Sequence, residues 1–224
     1  MKKIVLIILL LAGARLSGEA ADAKALLSSW LAAQPNIHTW SADFVQTRSL
    51  KALTQPLTST GHVFFAEPNL FRWELGNPAK TIAVRSTKEM LVIYPQLKRV
   101  ERYALNGEQA GQWKEMMELL DAGFPRRQAE LESHFNILSQ TVSGTAEELA
   151  LQPKSAMARK MMPLIRIAFD TENFSLRSTE LEFADGSRMR NDFKNPVLNP
   201  PMKKQAFEPP ILEGYKIVEP LKKQ

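Results

Sequence analysis

With 224 residues, no cysteine and a formal net charge of +5, the chain excludes several classes of protein at once. Disulfide frameworks, thiol catalysis and thiolate metal sites all need cysteine, as does lipid attachment at an N-terminal cysteine. Leaving out the first 20 residues removes three basic side chains (Lys2, Lys3, Arg15) and one acidic one (Glu19), which takes the charge from +5 to +3. That is too mild for a nucleic-acid binder and enough only for weak attraction to anionic membranes or acidic partners.

Lys2 and Lys3 precede an apolar run from Ile4 to Ala12, and Gly18-Glu19-Ala20 supplies a small-x-small pattern. Residues 1–20 therefore read as a secretory signal peptide cleaved near Ala20. The run is too short for an ordinary membrane-spanning helix. About 200 residues follow, over 21–224, enough for one domain with a sizeable core.

A helix is predicted over 22–34, where Ala23, Leu27, Trp30 and Leu31 share a face; Pro35 and Asn36 stop it. The period then shortens toward two. Trp40, Ala42 and Phe44 alternate in TWSADFVQTR, and TGHVFFAE follows as a strand that breaks at Pro68. Phe71, Trp73 and Leu75 then alternate with Arg72 and Glu74, giving one aromatic and one charged face. TIAVRS, EMLVIYP and KRVERYAL read as further strands, closed by the turn signal Asn106-Gly107.

One helical stretch interrupts the strands. In GEQAGQWKEMMELLDAG, Trp113, Met116, Met117 and Leu120 fall at i, i+3, i+4 and i+7, and Gly123 and Pro125 end the pattern. Such a stripe reads either as a core-facing helix or as a flexible apolar cover, since methionine re-packs around variable shapes. Met161-Met162 reads as a second flap or as a loop anchored to the core. Strands return in HFNILSQTVSG, ELALQPK, LIRIAFD, LRSTELEF and SRMRNDF, with Asp185-Gly186 as a two-residue hairpin signal. From Asn195 the chain is proline-rich, and an irregular or edge segment along the outside is expected. The fold class is mainly β with helices (α+β). One strongly curved antiparallel sheet of roughly ten strands is expected, a size that tends to curl toward a barrel or split into two sheets; a single curled sheet has a concave face that helices could fill or cover.

Catalytic signatures are missing from the sequence. His38, His62 and His134 have no metal-ligand spacing. No nucleophile elbow, S-x-x-K, phosphate loop or dinucleotide fingerprint occurs. No enzyme, no metal and no cofactor is the expectation.

PNLFRW (68–73), then NPAKTIAVRS, then LVIYPQLKRVERY resemble the periplasmic outer-membrane lipoprotein carrier family, the LolA-like proteins. WSADFVQTR (40–48) is similar to that family's first strand, and FEPPILEGYKIVEP (207–220) to its last strand and tail. The resemblance implies an incomplete β-barrel whose hydrophobic cavity is covered by a helical lid. It implies a periplasmic carrier that takes acylated lipoproteins or a related lipid from an inner-membrane lipoprotein-releasing transporter to an outer-membrane acceptor, without ATP. The acyl cavity is then assigned to Trp40, Phe44, Phe65, Phe71, Trp73, Leu91 and Ile93 of the sheet, and to Trp113, Met116, Met117 and Leu120 of the lid. Phe71 matches the family's cavity-rim aromatic. Parity across Pro68 leaves Phe64 and Phe65 interchangeable. Family members known for lipoprotein transport often carry an arginine before the Pro-Asn-Leu-Phe run; Glu67 stands there in this chain and is the candidate lid latch. A monomer without nucleic acid is expected. Two rival readings are an envelope sensor or interaction module on the same half-barrel, and an enzyme acting on envelope lipid.

Overall fold

A computed structural model describes residues 23–106, 125, 127–211 and 213–220. The segment read as a signal peptide and the Met-rich helical stretch over 107–123 lie outside the described residues. In chain order the elements are helix α1 (23–33) and strands β1 (Thr39–Ser49), β2 (Leu57–Ala66), β3 (Leu70–Leu75), β4 (Thr81–Arg85), β5 (Glu89–Tyr94) and β6 (Arg99–Ala104). There follow α2 (Gln128–His134), β7 (Phe135–Ser143), β8 (Ala146–Pro153), α3 (Ala156–Met161), β9 (Leu164–Asp170), β10 (Leu176–Glu182), β11 (Arg188–Leu198) and β12 (Lys216–Val218).

The 12 strands of the described residues form one open, curved sheet in the order β12-β6-β5-β4-β3-β2-β1-β11-β10-β9-β8-β7. Neighbours are antiparallel except β12, which pairs parallel with β6. Short turns make the antiparallel order: Gly186, at φ +82, lets Asp185-Gly186 reverse the chain, and Ser187 N–H donates to Asp185 Oδ1 at 2.9 Å. This is the strongly curved antiparallel sheet that the sequence predicts, with two strands more than the roughly ten expected.

α1 buries Ala23, Leu27, Trp30 and Leu31, the stripe its spacing predicts, and Trp30 stacks on Phe169 of β9 with ring centroids 4.5 Å apart. Beneath it Leu149, Leu151, Ile165 and Ile167 are fully buried. β8 shows strict alternation, with Glu147, Leu149, Leu151 and Pro153 turned inward. Leu131 of α2, and Ala158 and Met162 at α3, close the same core. Ser155 Oγ caps α3 by accepting from Ala158 N–H at 3.3 Å. Met161-Met162 divides between its two readings: Met162, the residue after α3, is buried in the core, while Met161, the last residue of α3, is exposed.

The proline-rich segment departs from the expectation in one place. β11 does not stop before Asn195 but runs on to Leu198. Its pairing with β1 skips a step: Ser41 faces Val197 and Asp43 faces Lys194, so Asn195 and Pro196 together oppose Ala42. This bulge, with Asn195 at φ +51, accommodates a proline that has no N–H for the ladder. Beyond it the chain crosses the outer face. Arg72 Nη1 donates to the carbonyls of Ala206 (3.2 Å) and Glu208 (3.0 Å), Phe207 is buried, and β12 covers the β6 edge.

Candidate functional site

Strand register decides which side chains meet. Two cross-strand rows run over the concave face from β1 to β6. One is Trp40, Phe65, Phe71, Arg85, Met90 and Tyr103. The other is Ala42, Val63, Trp73, Ala83, Val92 and Glu101. A third begins with Phe44, Gly61 and Leu75. Gly61 matters here because a Cβ would collide with the Glu74 carbonyl and the Phe44 ring. Its absence lets Phe44 lie over β2 and reach Trp73, with centroids 3.9 Å apart.

The predicted wall residues divide into two sets. Trp40 and Phe44 are each only 1% exposed; Trp40 packs edge-on to Phe193 at 5.1 Å. Both belong to the filled interior. Phe65, Phe71 and Trp73 are only partly buried on the same face, with Phe71 and Trp73 stacked at 5.9 Å. Register puts Phe65, not Phe64, on this face.

Leu91 and Ile93 must be reassigned. They pair with Val84 and Ile82 and form a separate buried cluster with Val100, covered by Ile211 and Tyr215 of the C-terminal segment. That cluster lies on the convex side, where Arg72 meets the tail. β5 is apolar on both faces, Leu91 and Ile93 on one and Met90 and Val92 on the other, so alternation does not tell which set points inward. The concave positions belong to Met90 and Val92, which pack with Ala83, Trp73, Tyr103 and Leu105. The sequence reading missed these, and only the register with Trp73 identifies them.

At the β6 end the face turns polar. Glu101 accepts hydrogen bonds from Tyr103 Oη (2.9 Å) and Tyr94 Oη (3.3 Å) and pairs with Arg99 Nη2 at 2.6 Å. Burial first, then the hydrogen bond to Glu101, push the Tyr103 phenol well above its ordinary pKa. Burial and the charge of Glu101 raise Tyr94 likewise. Both phenols stay protonated donors at neutral pH, so they serve as polar anchors and not as bases.

Glu67, the candidate latch, pairs with His38 Nδ1 at 2.7 Å, and its N–H donates to the His38 carbonyl at 2.9 Å. These bonds tie the β2–β3 turn to the segment before β1. Trp113, Met116, Met117 and Leu120 lie outside the described residues. His62 pairs with Asp43 at 2.5 Å. Among the described residues no group of three His, Asp or Glu side chains is placed to hold a metal ion, and no helix is long and apolar enough to cross a membrane.

Comparison with solved structures finds similar folds, one of them above a TM-score of 0.5. An uncharacterized conserved protein from Thermus thermophilus is similar over 88% of this chain and 99% of its own, at 10% identity and a TM-score of 0.51. A LolA superfamily protein from Nitrosomonas europaea covers 83% of this chain and 99% of its own, at 9% identity and a TM-score of 0.43. The Mycobacterium tuberculosis lipoprotein LppX covers 82% and 98%, at 11% identity and a TM-score of 0.44. Such low identities speak to the fold alone. No curated protein matches the chain. The family model described as outer membrane lipoprotein carrier protein LolA matches residues 35–210, most of the chain and every element from β1 to β11. The chain therefore belongs to the LolA family.

Proposed function

We propose that the chain is a non-enzymatic periplasmic carrier that shields acyl chains of lipoproteins, or of a related lipid, and delivers them to the outer membrane. One observation carries this reading. Phe65, Phe71 and Trp73 remain partly exposed on the concave face of a sheet whose other half is packed solid. The task requires such a surface. Each methylene is worth about 0.8 kcal/mol, so a sixteen-carbon chain resists water by roughly 12 kcal/mol. A carrier must offset that with apolar contact that its own side chains have not already used.

Phe65, Phe71, Trp73, Met90 and Val92 form the wall, and the tyrosines at Glu101 mark its polar end. The stripe of Trp113, Met116, Met117 and Leu120 is assigned as the cover because the family resemblance implies a helical lid. Loading by an inner-membrane transporter, delivery to an outer-membrane acceptor, and a monomeric state complete the proposal. Support comes from the family to which the chain belongs.

The protein purified from the periplasm should release lipid or lipopeptide on denaturation, read by mass spectrometry, and should bind a fluorescent fatty acid. Release of cargo to acceptor vesicles separates a carrier from a sensor that keeps its ligand. No extractable lipid together with no probe binding would end the proposal.

A further inference from the structure

The two ends of the sheet differ in what their turns carry. Because the strands alternate, five connections gather at one end: 50–56, 76–80, 95–98, 154–163 and 183–187. The turn 50–56 exposes Leu53 next to Lys51. The turn 95–98 presents Leu97, 70% exposed, beside Lys98. The connection 154–163 holds α3, whose Met157 and Met161 are exposed and flanked by Lys154, Arg159 and Lys160. Lys80 ends the turn 76–80. Hydrogen bonds link neighbouring tips: Ala184 N–H donates to the Met161 carbonyl at 3.0 Å, and Lys51 N–H to Ser187 Oγ at 3.5 Å.

Acids at this end are fewer, and most are engaged. Asp185 accepts from Ser187 N–H and Oγ. Glu182 pairs with Arg166 and Arg188, and Glu132 accepts from Gln128. Glu213 is exposed near the start of β12. The strand-to-strand turns at the opposite end, 67–69, 86–88, 144–145 and 171–175, carry Glu67, Lys88 and Glu172 as their only charges and none of the exposed large apolar side chains.

We propose that the basic, leucine- and methionine-tipped end docks on the surface of an anionic bilayer. Its exposed apolar side chains are spread over three separate connections, Leu53 on one, Leu97 on another and Met157 with Met161 on α3, each beside a lysine or arginine. Protein interfaces concentrate aromatic side chains in a continuous patch and deplete lysine. A bilayer interface takes scattered aliphatic tips, while lysine stems lie along the headgroups with their ammonium groups at the phosphates. This proposal stands apart from the acyl-binding reading, since it concerns the turns and not the concave face.

The absence of cysteine makes the test simple. Leu53→Cys and Leu97→Cys at this end, and Glu172→Cys at the other, each carry one environment-sensitive fluorophore. Vesicles are phosphatidylcholine alone or with one-third phosphatidylglycerol. The probes at 53 and 97 should shift to the blue with anionic vesicles only, and high salt should reverse the shift. The probe at 172 should not respond. Lys98→Glu with Lys160→Glu alters two exposed side chains and should leave circular dichroism unchanged. It should weaken vesicle binding about fivefold or more per site, the equivalent of about 1 kcal/mol each. A blue shift at 172, equal shifts with neutral vesicles, or affinity unchanged by the folded charge-reversed pair would overturn the proposal. So would a shift at 97 seen with acidic proteins and never with vesicles.

Discussion

The two halves of the sheet put their cores on opposite sides. From β7 to β11 the concave face is packed under α1, with Leu149, Leu151, Ile167 and Phe169 showing no exposure. The convex face of the same strands is a charged lattice, in which Arg166 reaches Glu180 at 2.8 Å and Arg190 reaches Asp192 at 2.8 Å. From β4 to β6 the arrangement inverts. Ile82, Val84, Leu91, Ile93 and Val100 are buried on the convex side beneath the C-terminal segment, and the concave side keeps partly exposed rings. The convex cluster thus gives the β4–β6 half a core of its own, so that half does not depend on packing across the concave face. Each fully buried aliphatic there contributes roughly 1.5–3 kcal/mol.

The largest effects should come from breaking either core. Phe169→Ala in the packed half should cost about 3–5 kcal/mol, and Ile93→Ala under the tail about 2–5 kcal/mol, both read by urea unfolding. A small loss at Ile93 would mean that the convex cluster does not support its half. Next comes the clamp on the tail. Arg72→Met removes the donors to Ala206 and Glu208 and should cost about 1–3 kcal/mol, with faster proteolytic clipping beyond residue 203.

A smaller, pH-dependent effect sharpens the contrast from inside the packed half. Glu147 is fully buried; it accepts from Gln140, and its Oε2 has no hydrogen-bond partner among the described residues. Burial raises its carboxyl above the ordinary 4.5, with the Gln140 bond opposing. The folded state therefore favours the protonated form. Its stabilising contribution is complete below pH 4.5 and is lost as pH rises through the folded-state value. Glu147→Gln should melt higher than the parent at neutral pH, and the gap should close toward pH 4.5. The smallest effect on stability belongs to the open half. Phe71→Glu should cost about 1 kcal/mol or less while weakening fatty-acid binding more than tenfold, because an acyl chain would bury a carboxylate. Equal loss of folding and binding would make Phe71 an ordinary core residue.

Much of this is legible in the sequence where one face alone is covered. Leu27, Trp30 and Leu31 mark α1; Phe71, Trp73 and Leu75 mark β3 and its inward face. Where a strand is apolar on both faces, alternation fails, and Leu91 and Ile93 fall on the wrong side for that reason. α2 and α3 are helices of 7 and 6 residues, too short for a periodic signal to build up. Pro196 hides the end of β11, since a bulge depends on the partner strand. The convex core depends on Ile211 and Tyr215 packing against β-strands more than a hundred residues earlier, a relation that no local pattern encodes.

In the proposed carrier, guest hydrocarbon lies against Trp73 and not in the packed half. Titration of a Trp113→Phe background with a brominated fatty acid tests it, because bromine quenches only nearby indoles. Fluorescence should fall on binding, and the fall should vanish when Trp73→Phe is added, with Trp30 and Trp40 still bright. Undiminished quenching without Trp73 would place the guest elsewhere and overturn this assignment.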